Sequence, residues 1–446
     1  MPVPDLLKFT ALNQKPLAKL PRQTKEVTAE LKRCRILRKR LRFALNVPCF
    51  MSQIWNTIGQ KLHPQVLKYT VGDDYILDQK VFLPYDLQAS LAHAEMLARL
   101  KILTAREFAQ IKKGLAEIKN LWGKGKFFVT EEQEDCHTAI EQYLTKKYGR
   151  AGEKIHTGRS RNDQSLVMIR LYEIDALKKI LNLSEKLIVE WRKWAQKNGK
   201  TRMPGYTHMQ KAMPTTVGVW QSAYADALDD ANEFIDEALE VIDQSPLGSG
   251  AGYGVPLSID RKFTARRLGF SKVQKNPIYC QLSRGFFEAQ ALNAAGTASF
   301  ILSRWASDLM LFTTSEFGFF SLPRNFTTGS SIMPQKQNYD VFEIMRASAS
   351  IVEAARNEIQ QIAGKLPSGY HRDLQLVKAP LHRGLQTALD TLETALAIAP
   401  ALIANKEKLS AALTPELFAT AEIFKRVKKG MSFRKAYGAV KKEIRR

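Results

Sequence analysis

A chain of 446 residues with 45% hydrophobic and 25% charged residues has the composition of a folded globular protein, and its length predicts two or three folding units. Its net charge of +23 would suit a nucleic-acid partner, but neither a helix-turn-helix signature nor an RNA-binding aromatic motif is present, so we expect a generally basic surface and no nucleic acid. No uninterrupted apolar run approaches the roughly 18 residues that span a bilayer, so no membrane association is expected.

The first 50 residues differ in composition from the rest of the chain. Residues 1–50 carry 12 Lys and Arg against 3 Asp and Glu, and we assign them to a basic N-terminal extension. Three interpretations stay open: an organelle-targeting presequence, a basic arm, or a translation start assigned too far upstream. The acid-poor composition favours the first. The stretch Met51–Trp55 reads like the beginning of the globular part and favours the third, so a disordered or non-native extension is one expectation for residues 1–50.

From about residue 85 onward the hydrophobic pattern is helical. Large apolar residues recur at spacings of three and four, as they do on one face of a helix. They are Ile180, Leu183, Leu187, Trp191 and Trp194, and then Leu302, Trp305, Leu309 and Phe312. Long stripes of this kind, with few alternating strand-like runs, predict an all-α protein with a central helical bundle. We assign the aromatic residues of the stripes to the core or the seams of that bundle.

The four cysteines give no sign of a metal site. Cys34, Cys49, Cys136 and Cys280 are widely scattered, and no His-x-x-x-His pattern accompanies them. So few cysteines in a chain of this length favour reduced thiols and a cytoplasmic location. We expect neither a metal nor another cofactor.

The most informative stretch is the Gly-Ser-Ser-Ile-Met-Pro-Gln-Lys-Gln-Asn segment at residues 329–338, which we call the signature loop. It combines a glycine, two hydroxyl groups, a lysine and an asparagine in a segment that suits neither a helix nor a strand. Such a loop could close over a ligand, move a proton through a serine and bind an anion. The alternative is a plain Ser/Gly connection between helices.

Three further polar segments could carry chemistry. Residues 156–164 place two arginines beside a predicted helix start, which suits a carboxylate, although a simple helix cap is the alternative. Residues 205–210 place His208 in a Gly/Pro-rich loop, where it could transfer a proton near neutral pH. Residues 370–378 place Tyr370, Gln375 and Lys378 at offsets that could face one ligand. An exposed charged helix face is the alternative there.

These segments, together with residues 245–251, closely resemble the argininosuccinate lyase family of the fumarase/aspartase superfamily. The resemblance is collinear from about Trp55 to the end of the chain. It implies an all-α, fumarase/aspartase-like protomer of three domains. They are an N-terminal helical domain over residues 51–160, a long-helix bundle domain over 161–413 that carries the signature loop, and a small C-terminal helical domain over 414–446.

The resemblance also implies a reaction and roles for individual residues. The reaction is the reversible anti elimination of argininosuccinate to L-arginine and fumarate, the last step of arginine biosynthesis. Ser330 takes the Cβ proton, and His208, oriented by Glu343, is the opposite acid or base, although which is base and which acid stays open. The implied substrate-binding residues are Ser90, Asn162, Thr207, Lys336, Asn338, Tyr370, Gln375 and Lys378. A homotetramer is implied, with each site assembled from three subunits, and no cofactor.

The chain departs from the family pattern at two places. Tyr339 stands where the family loop usually has proline, and Gly285 stands where an aspartate commonly follows the arginine. We therefore assign no role to Arg284. A sister lyase for another N-succinyl compound is an alternative, which the amino-acid-binding set of Tyr370, Gln375 and Lys378 disfavours. A non-catalytic structural protein on the same scaffold is another.

Overall fold

The computed structural model of this protein describes residues 62–444. The predicted extension over residues 1–50, the stretch Met51–Trp55 and residues 445–446 lie outside the described residues. The α-helices are α1 (Pro64–Val71), α2 (Asp74–Leu77), α3 (Leu83–Arg99), α4 (Ala105–Gly123), α5 (Cys136–Tyr148), α6 (Arg150–Glu153), α7 (Arg161–Asn198), α8 (Val217–Ile242), α9 (Arg261–Leu268), α10 (Pro277–Leu282), α11 (Phe286–Phe312), α12 (Asp340–Ala363), α13 (Lys378–Ile398), α14 (Lys406–Ala411), α15 (Ala419–Lys428) and α16 (Phe433–Ile444).

Five long helices, α7, α8, α11, α12 and α13, form the centre of the protein. Helix α11 packs against α8 and α12, while α7 packs against α8 and α13. The apolar stripes lie inside this bundle, where Trp191 and Trp305 are almost fully buried with their ring centroids 5.0 Å apart. The prediction of an all-α fold with a long central bundle is thus confirmed. In residues 62–444 no helix is both long enough and apolar enough to cross a membrane.

Short strands pair only in twos within the described residues. The strands are β1 (Arg202–Thr207), β2 (Gln210–Thr216), β3 (Gln244–Ser245), β4 (Lys272–Val273), β5 (Phe320–Ser321), β6 (Thr328–Gly329), β7 (Gln337–Asn338) and β8 (Ile403–Ala404). Strands β1 and β2 form one antiparallel hairpin, and β6 and β7 form another. Both hairpins carry predicted site residues. Helices α15 and α16 share a small core of Ile423, Ala436 and Val440, but the predicted domain boundaries at residues 160 and 413 stay predictions.

A buried charge cluster interrupts the apolar bundle. Arg170 and Glu173 of α7 and Glu288 of α11 are each at most 2% exposed. Arg170 Nε lies 3.3 Å from Glu173 Oε2, and Arg170 Nη1 donates to the carbonyl oxygens of Ile242 and Gln244. Burial, together with the nearby Glu288 carboxyl, raises the pKa of Glu173 well above its ordinary value. Glu173 is therefore a destabilising group when it is ionised.

Replacing Glu173 by glutamine is expected to make the protein more resistant to alkaline destabilisation. A carboxyl whose pKa is raised in the folded state does not lower the free energy of unfolding below its unfolded pKa of about 4.3, where it is protonated in both states. The free energy of unfolding then falls as pH rises toward the folded pKa, because only the unfolded state ionises readily. A tenfold difference in proton affinity between the two states corresponds to about 1.4 kcal/mol. Glutamine has no proton to lose, so the variant's unfolding temperature should exceed that of the wild type by more at pH 8.5 than at pH 5.

Glu185→Gln, at an exposed position of the same helix, is the control. An equal difference at both pH values would contradict the prediction.

Candidate active site

The start of α7 combines a helix cap with a cluster of cations. Ser160 accepts from the backbone N–H of Asn162 at 3.3 Å, and Asp163 accepts from the backbone N–H of Ser160 at 2.8 Å. This reciprocal capping box fixes where the helix begins. Arg159, which precedes it, is buried and donates to Ser90 Oγ at 3.0 Å. The capping interpretation is therefore correct for Ser160 and Asp163, and it leaves the side chain of Asn162 available for a ligand.

Ser90 belongs to a buried polar cluster behind this helix start. Its fully buried hydroxyl donates to Asp86 Oδ1 at 3.3 Å and accepts from Arg159. Asp86 in turn pairs with His137 at 2.8 Å. Burial disfavours the charged form of both groups. The His137–Asp86 interaction and other nearby charges together exceed this effect, so the pKa of Asp86 is lowered and the pKa of His137 is raised. The cluster is a network of charge-assisted hydrogen bonds.

The same cluster contains the atoms that could hold a metal ion. Asp86, Cys136 and His137 each place one potential ligand atom within 4.8 Å of the others. The ion pair between His137 Nδ1 and Asp86 Oδ2 already uses two of these atoms. We assign no metal to this cluster, and the absence of a metal cofactor stays a prediction.

Asp163 also joins the start of α7 to the glycine-rich loop at residues 245–251. Its Oδ2 accepts from the backbone N–H of Gly248 at 2.8 Å and of Gly250 at 3.2 Å. Both glycines have positive φ, +86° and +62°, a conformation that favours glycine. Burial raises the pKa of Asp163 to about 6, while its hydrogen bonds oppose the rise. Two of the predicted segments are thereby brought together.

The signature loop forms a hairpin whose neck is the β6–β7 pair. Thr328 pairs with Asn338 and Gly329 with Gln337, so Ser330 and Lys336 are the first residues beyond the paired strands on the two sides of the loop. Ser330 Oγ accepts from the backbone N–H groups of Ile332 at 3.3 Å and Met333 at 3.0 Å. Two amide donors favour the ionised form of a hydroxyl, which is otherwise a weak acid. Three predicted residues, Ser330, Lys336 and Asn338, thus lie in one hairpin.

His208 occupies the tip of the other hairpin. Thr207 pairs with Gln210, so His208 and Met209 form a two-residue turn with φ values of 53° and 60°. Positive φ at both positions defines a type I′ turn, which normally takes Asn-Gly. A His-Met pair there costs on the order of 1–3 kcal/mol per residue, and such strain is concentrated at functional sites. Both side chains are exposed.

The described protomer does not bring His208 to Glu343. Glu343 is exposed in the first turn of α12, three residues after that helix begins. Among residues 62–444, neither the His208 side chain nor the Glu343 side chain makes a hydrogen bond or an ion pair. The predicted orientation of His208 by Glu343 therefore has no counterpart within one protomer, and the pairing stays a prediction.

The segment at residues 370–378 is engaged with the beginning of the described chain. Gln375 Nε2 donates to the backbone oxygens of Thr70 and Val71, each at 3.2 Å. Lys378 is buried, and its Nζ lies 2.6 Å from Asp74 and 2.7 Å from Asp78. Burial opposes this ammonium charge, but the two carboxylates outweigh it and raise the pKa of Lys378.

Tyr370 lies beside an arginine to which the sequence assigned no role. The Arg284 guanidinium is 5.3 Å from the centroid of the Tyr370 ring, and Arg284 Nη2 donates to the Leu374 oxygen. The sequence interpretation also missed Asp74 and Asp78. Their spacing of four, on one face of a helix, is the signal that could have identified them. Asp78 begins a π-helical turn, a distortion that is frequent at functional sites.

Comparison with known proteins identifies the relatives of this chain. A family model described as lyase matches residues 69–353. The chain is 44% identical over 388 residues to an argininosuccinate lyase of Thermotoga neapolitana, an overlap that covers 87% of this chain and 97% of that protein. It is also 44% identical over 392 residues to an argininosuccinate lyase of Sorangium cellulosum, covering 88% and 90% of the two chains.

Solved structures with this fold include a variant of EDDS lyase with bound fumarate and a fumarate lyase from Mesorhizobium. Their TM-scores are 0.71 at 24% identity and 0.70 at 18% identity. The overlaps cover 86% and 87% of this chain, and 76% and 87% of the respective structures. Such identities establish the fold alone, whereas the 44% identity over most of both chains establishes the family. The chain belongs to the argininosuccinate lyase family, within the fumarase/aspartase superfamily.

Proposed function

We propose that this protein is a carbon–nitrogen lyase that converts argininosuccinate reversibly into L-arginine and fumarate, as the last step of arginine biosynthesis. The observation that carries the proposal is the signature-loop hairpin. It points two backbone amides at the Ser330 hydroxyl and carries Ser330, Lys336 and Asn338 in one short loop. Family membership supports the substrate, because the relatives with 44% identity are argininosuccinate lyases.

In this reaction Ser330 removes the Cβ proton of the succinyl group. The electron pair of the C–H bond enters the adjacent carboxylate as an aci-carboxylate and then forms the double bond of fumarate. The Cα–N bond breaks, and the departing guanidino nitrogen takes a proton from His208. Negative charge on the substrate carboxylate is the main barrier, so preorganised cations and donors contribute most. The groups assigned to it are Lys336, Asn338, Thr207 and Asn162.

The amino-acid end of argininosuccinate is assigned to Tyr370, Gln375 and Lys378. Lys378 is paired with Asp74 and Asp78 within the protomer, and we assign its ammonium group to the substrate carboxylate at this end. Ser90 is assigned a supporting contribution, because its buried hydroxyl holds Arg159 rather than facing open space.

We place this chain in a homotetramer whose sites are shared between subunits, in the cytoplasm. Two observations support the assembly. Within the described protomer the side chains of His208 and Glu343 have no polar partner. Large apolar side chains are also exposed along the long helices, among them Val219 on α8, Phe300 on α11 and Ile344 on α12. Cys136 and Cys280 are free thiols, which supports the reducing location.

Shared sites predict that two inactive variants restore each other. Ser330→Ala and His208→Ala homomers, dissociated together and reassembled, should regain part of the wild-type rate, since some mixed sites would contain both intact residues. Light scattering would verify the tetramer in the same samples. Two samples of Ser330→Ala reassembled with each other are the control. No recovery from a reassembled mixed tetramer would show that Ser330 and His208 of one site come from the same subunit.

Purified protein mixed with argininosuccinate tests the activity directly, because fumarate is followed by its ultraviolet absorbance. Release of fumarate and arginine in equal amounts is the expected result. Fumarate from another N-succinyl compound, with none from argininosuccinate, would identify a sister lyase. No fumarate from any of these substrates would favour a structural protein on this scaffold.

A further inference from the structure

The base of the signature loop is where this loop joins the helix bundle. Its tip is open to solvent, with Ile332 86% exposed and Met333 42% exposed. At its base, the Thr328 hydroxyl donates to the carboxylate of Asp340, the first residue of α12. The residue between β7 and α12 is Tyr339. The position of the loop therefore depends on how this junction is held.

Tyr339 is fixed by a chain of aromatic contacts that leads into the core. Its ring stacks on the Phe342 ring, with centroids 6.0 Å apart and an angle of 15° between the planes. Phe342 is fully buried and meets the edge of Trp305 at 6.3 Å and 81°. Trp305 Nε1 in turn donates to Gln221 Oε1 at 3.1 Å. Offset or edge-to-face aromatic pairs of this kind stabilise beyond the area they bury.

The backbone at Tyr339 differs from the one that a proline would impose. Its φ is −101°, whereas proline holds φ near −65° within about 15°. The proline that is usual in the family loop would therefore not fit this junction without moving it. This chain holds the loop by a side-chain stack instead of by a fixed backbone angle.

We propose that Tyr339 is a positioning residue for the reaction. Its stack on Phe342 fixes the end of β7, and the β6–β7 pairing transmits that position to Ser330 and Lys336. The inference rests on the proposed function of Ser330. Tyr339 itself is assigned no contact with a reacting atom, so its loss acts through the loop.

The test compares Tyr339→Ala, Tyr339→Phe and Tyr339→Pro in the full-length protein. Limited trypsin digestion, with mass spectrometry following the cut after the exposed Lys336, reports how often the loop opens. Steady-state kinetics with argininosuccinate report the reaction. Tyr437→Ala is the matched control, because Tyr437 is also a partly exposed tyrosine whose ring contacts a phenylalanine, Phe433 at 6.3 Å.

Tyr339→Ala and Tyr339→Pro should be cut after Lys336 about 2- to 10-fold faster than the wild type. Their kcat should fall about 10- to 100-fold, because small misplacements of reacting groups are costly. KM should change less, because Tyr339 is assigned no contact with the substrate. Tyr339→Phe keeps the ring and should behave like the wild type, as should Tyr437→Ala.

Unchanged digestion in Tyr339→Ala, or faster digestion with unchanged kcat, would overturn the proposal. So would wild-type kinetics in Tyr339→Pro. An inactive wild type would refute the proposed function and, with it, a positioning role in that reaction. Digestion of the same variants would still establish whether Tyr339 anchors the loop, so the two failures are distinguishable.

Discussion

Ser330→Ala is expected to lower kcat with argininosuccinate by about 10²–10⁴-fold, the usual contribution of a positioned proton-transfer group. The alanine variant loses the oxygen on which the amides of Ile332 and Met333 converge, and with it the group assigned to take the Cβ proton. KM should change little, because Lys336 and Asn338 remain to bind the carboxylate. The effect is measured by fumarate absorbance, on a variant whose assembly state and unfolding temperature match those of the wild type.

Ser331 provides the matched control for that experiment. It is the adjacent hydroxyl of the signature loop, it is exposed, and it makes no hydrogen bond among the described residues. Ser331→Ala should therefore keep the wild-type rate within about a few-fold, because no proton transfer depends on it. A large loss in Ser331→Ala with little loss in Ser330→Ala would exchange the two assignments and would refute the role given to the backbone amides.

The helical part of this structure could be predicted because its information is local. The spacing of Trp191 and Trp194 along one face indicated a buried helix, and the structure buries both residues in the bundle. The capping alternative at Ser160 was also readable, since an acid three residues later is the pattern of a capping box. Such features depend on neighbours within one or two helical turns.

The contacts that shape the candidate site depend instead on residues far apart in the chain. Lys378 and Asp78 are separated by 300 positions, and no local pattern indicates that they form an ion pair. The β6–β7 pairing was not anticipated, because two-residue strands carry no detectable alternation. The positive φ values at His208 and Met209 were equally hidden, since a His-Met pair lacks the Asn-Gly signal that marks such a turn. Only tertiary structure selects these features over local preference.

Lys378→Met is expected to destabilise the protein by about 3–5 kcal/mol, because it leaves the buried carboxylate of Asp78 and the partly buried carboxylate of Asp74 without their cation. Lys378 is almost completely buried, and its ammonium lies between Asp74 and Asp78. The variant should unfold at a markedly lower temperature and should lose activity as well. Activity alone therefore cannot separate substrate binding by Lys378 from its structural role.

Removing the carboxylate charges together with the lysine separates those roles. In the combined variant Lys378→Met, Asp74→Asn and Asp78→Asn no buried charge is left unpaired, and replacing a whole buried ion cluster is often neutral or stabilising. The backbone N–H of Cys136 donates a hydrogen bond to Asp78 Oδ2 at 3.2 Å. The amide oxygen introduced by Asp78→Asn can still accept that hydrogen bond. The unfolding temperature should return toward that of the wild type, while fumarate release stays lost because no ammonium faces the substrate carboxylate.

Recovery of both properties would assign Lys378 to structure alone. Loss of activity without loss of stability in Lys378→Met would show that its pairing with Asp74 and Asp78 contributes little to folding.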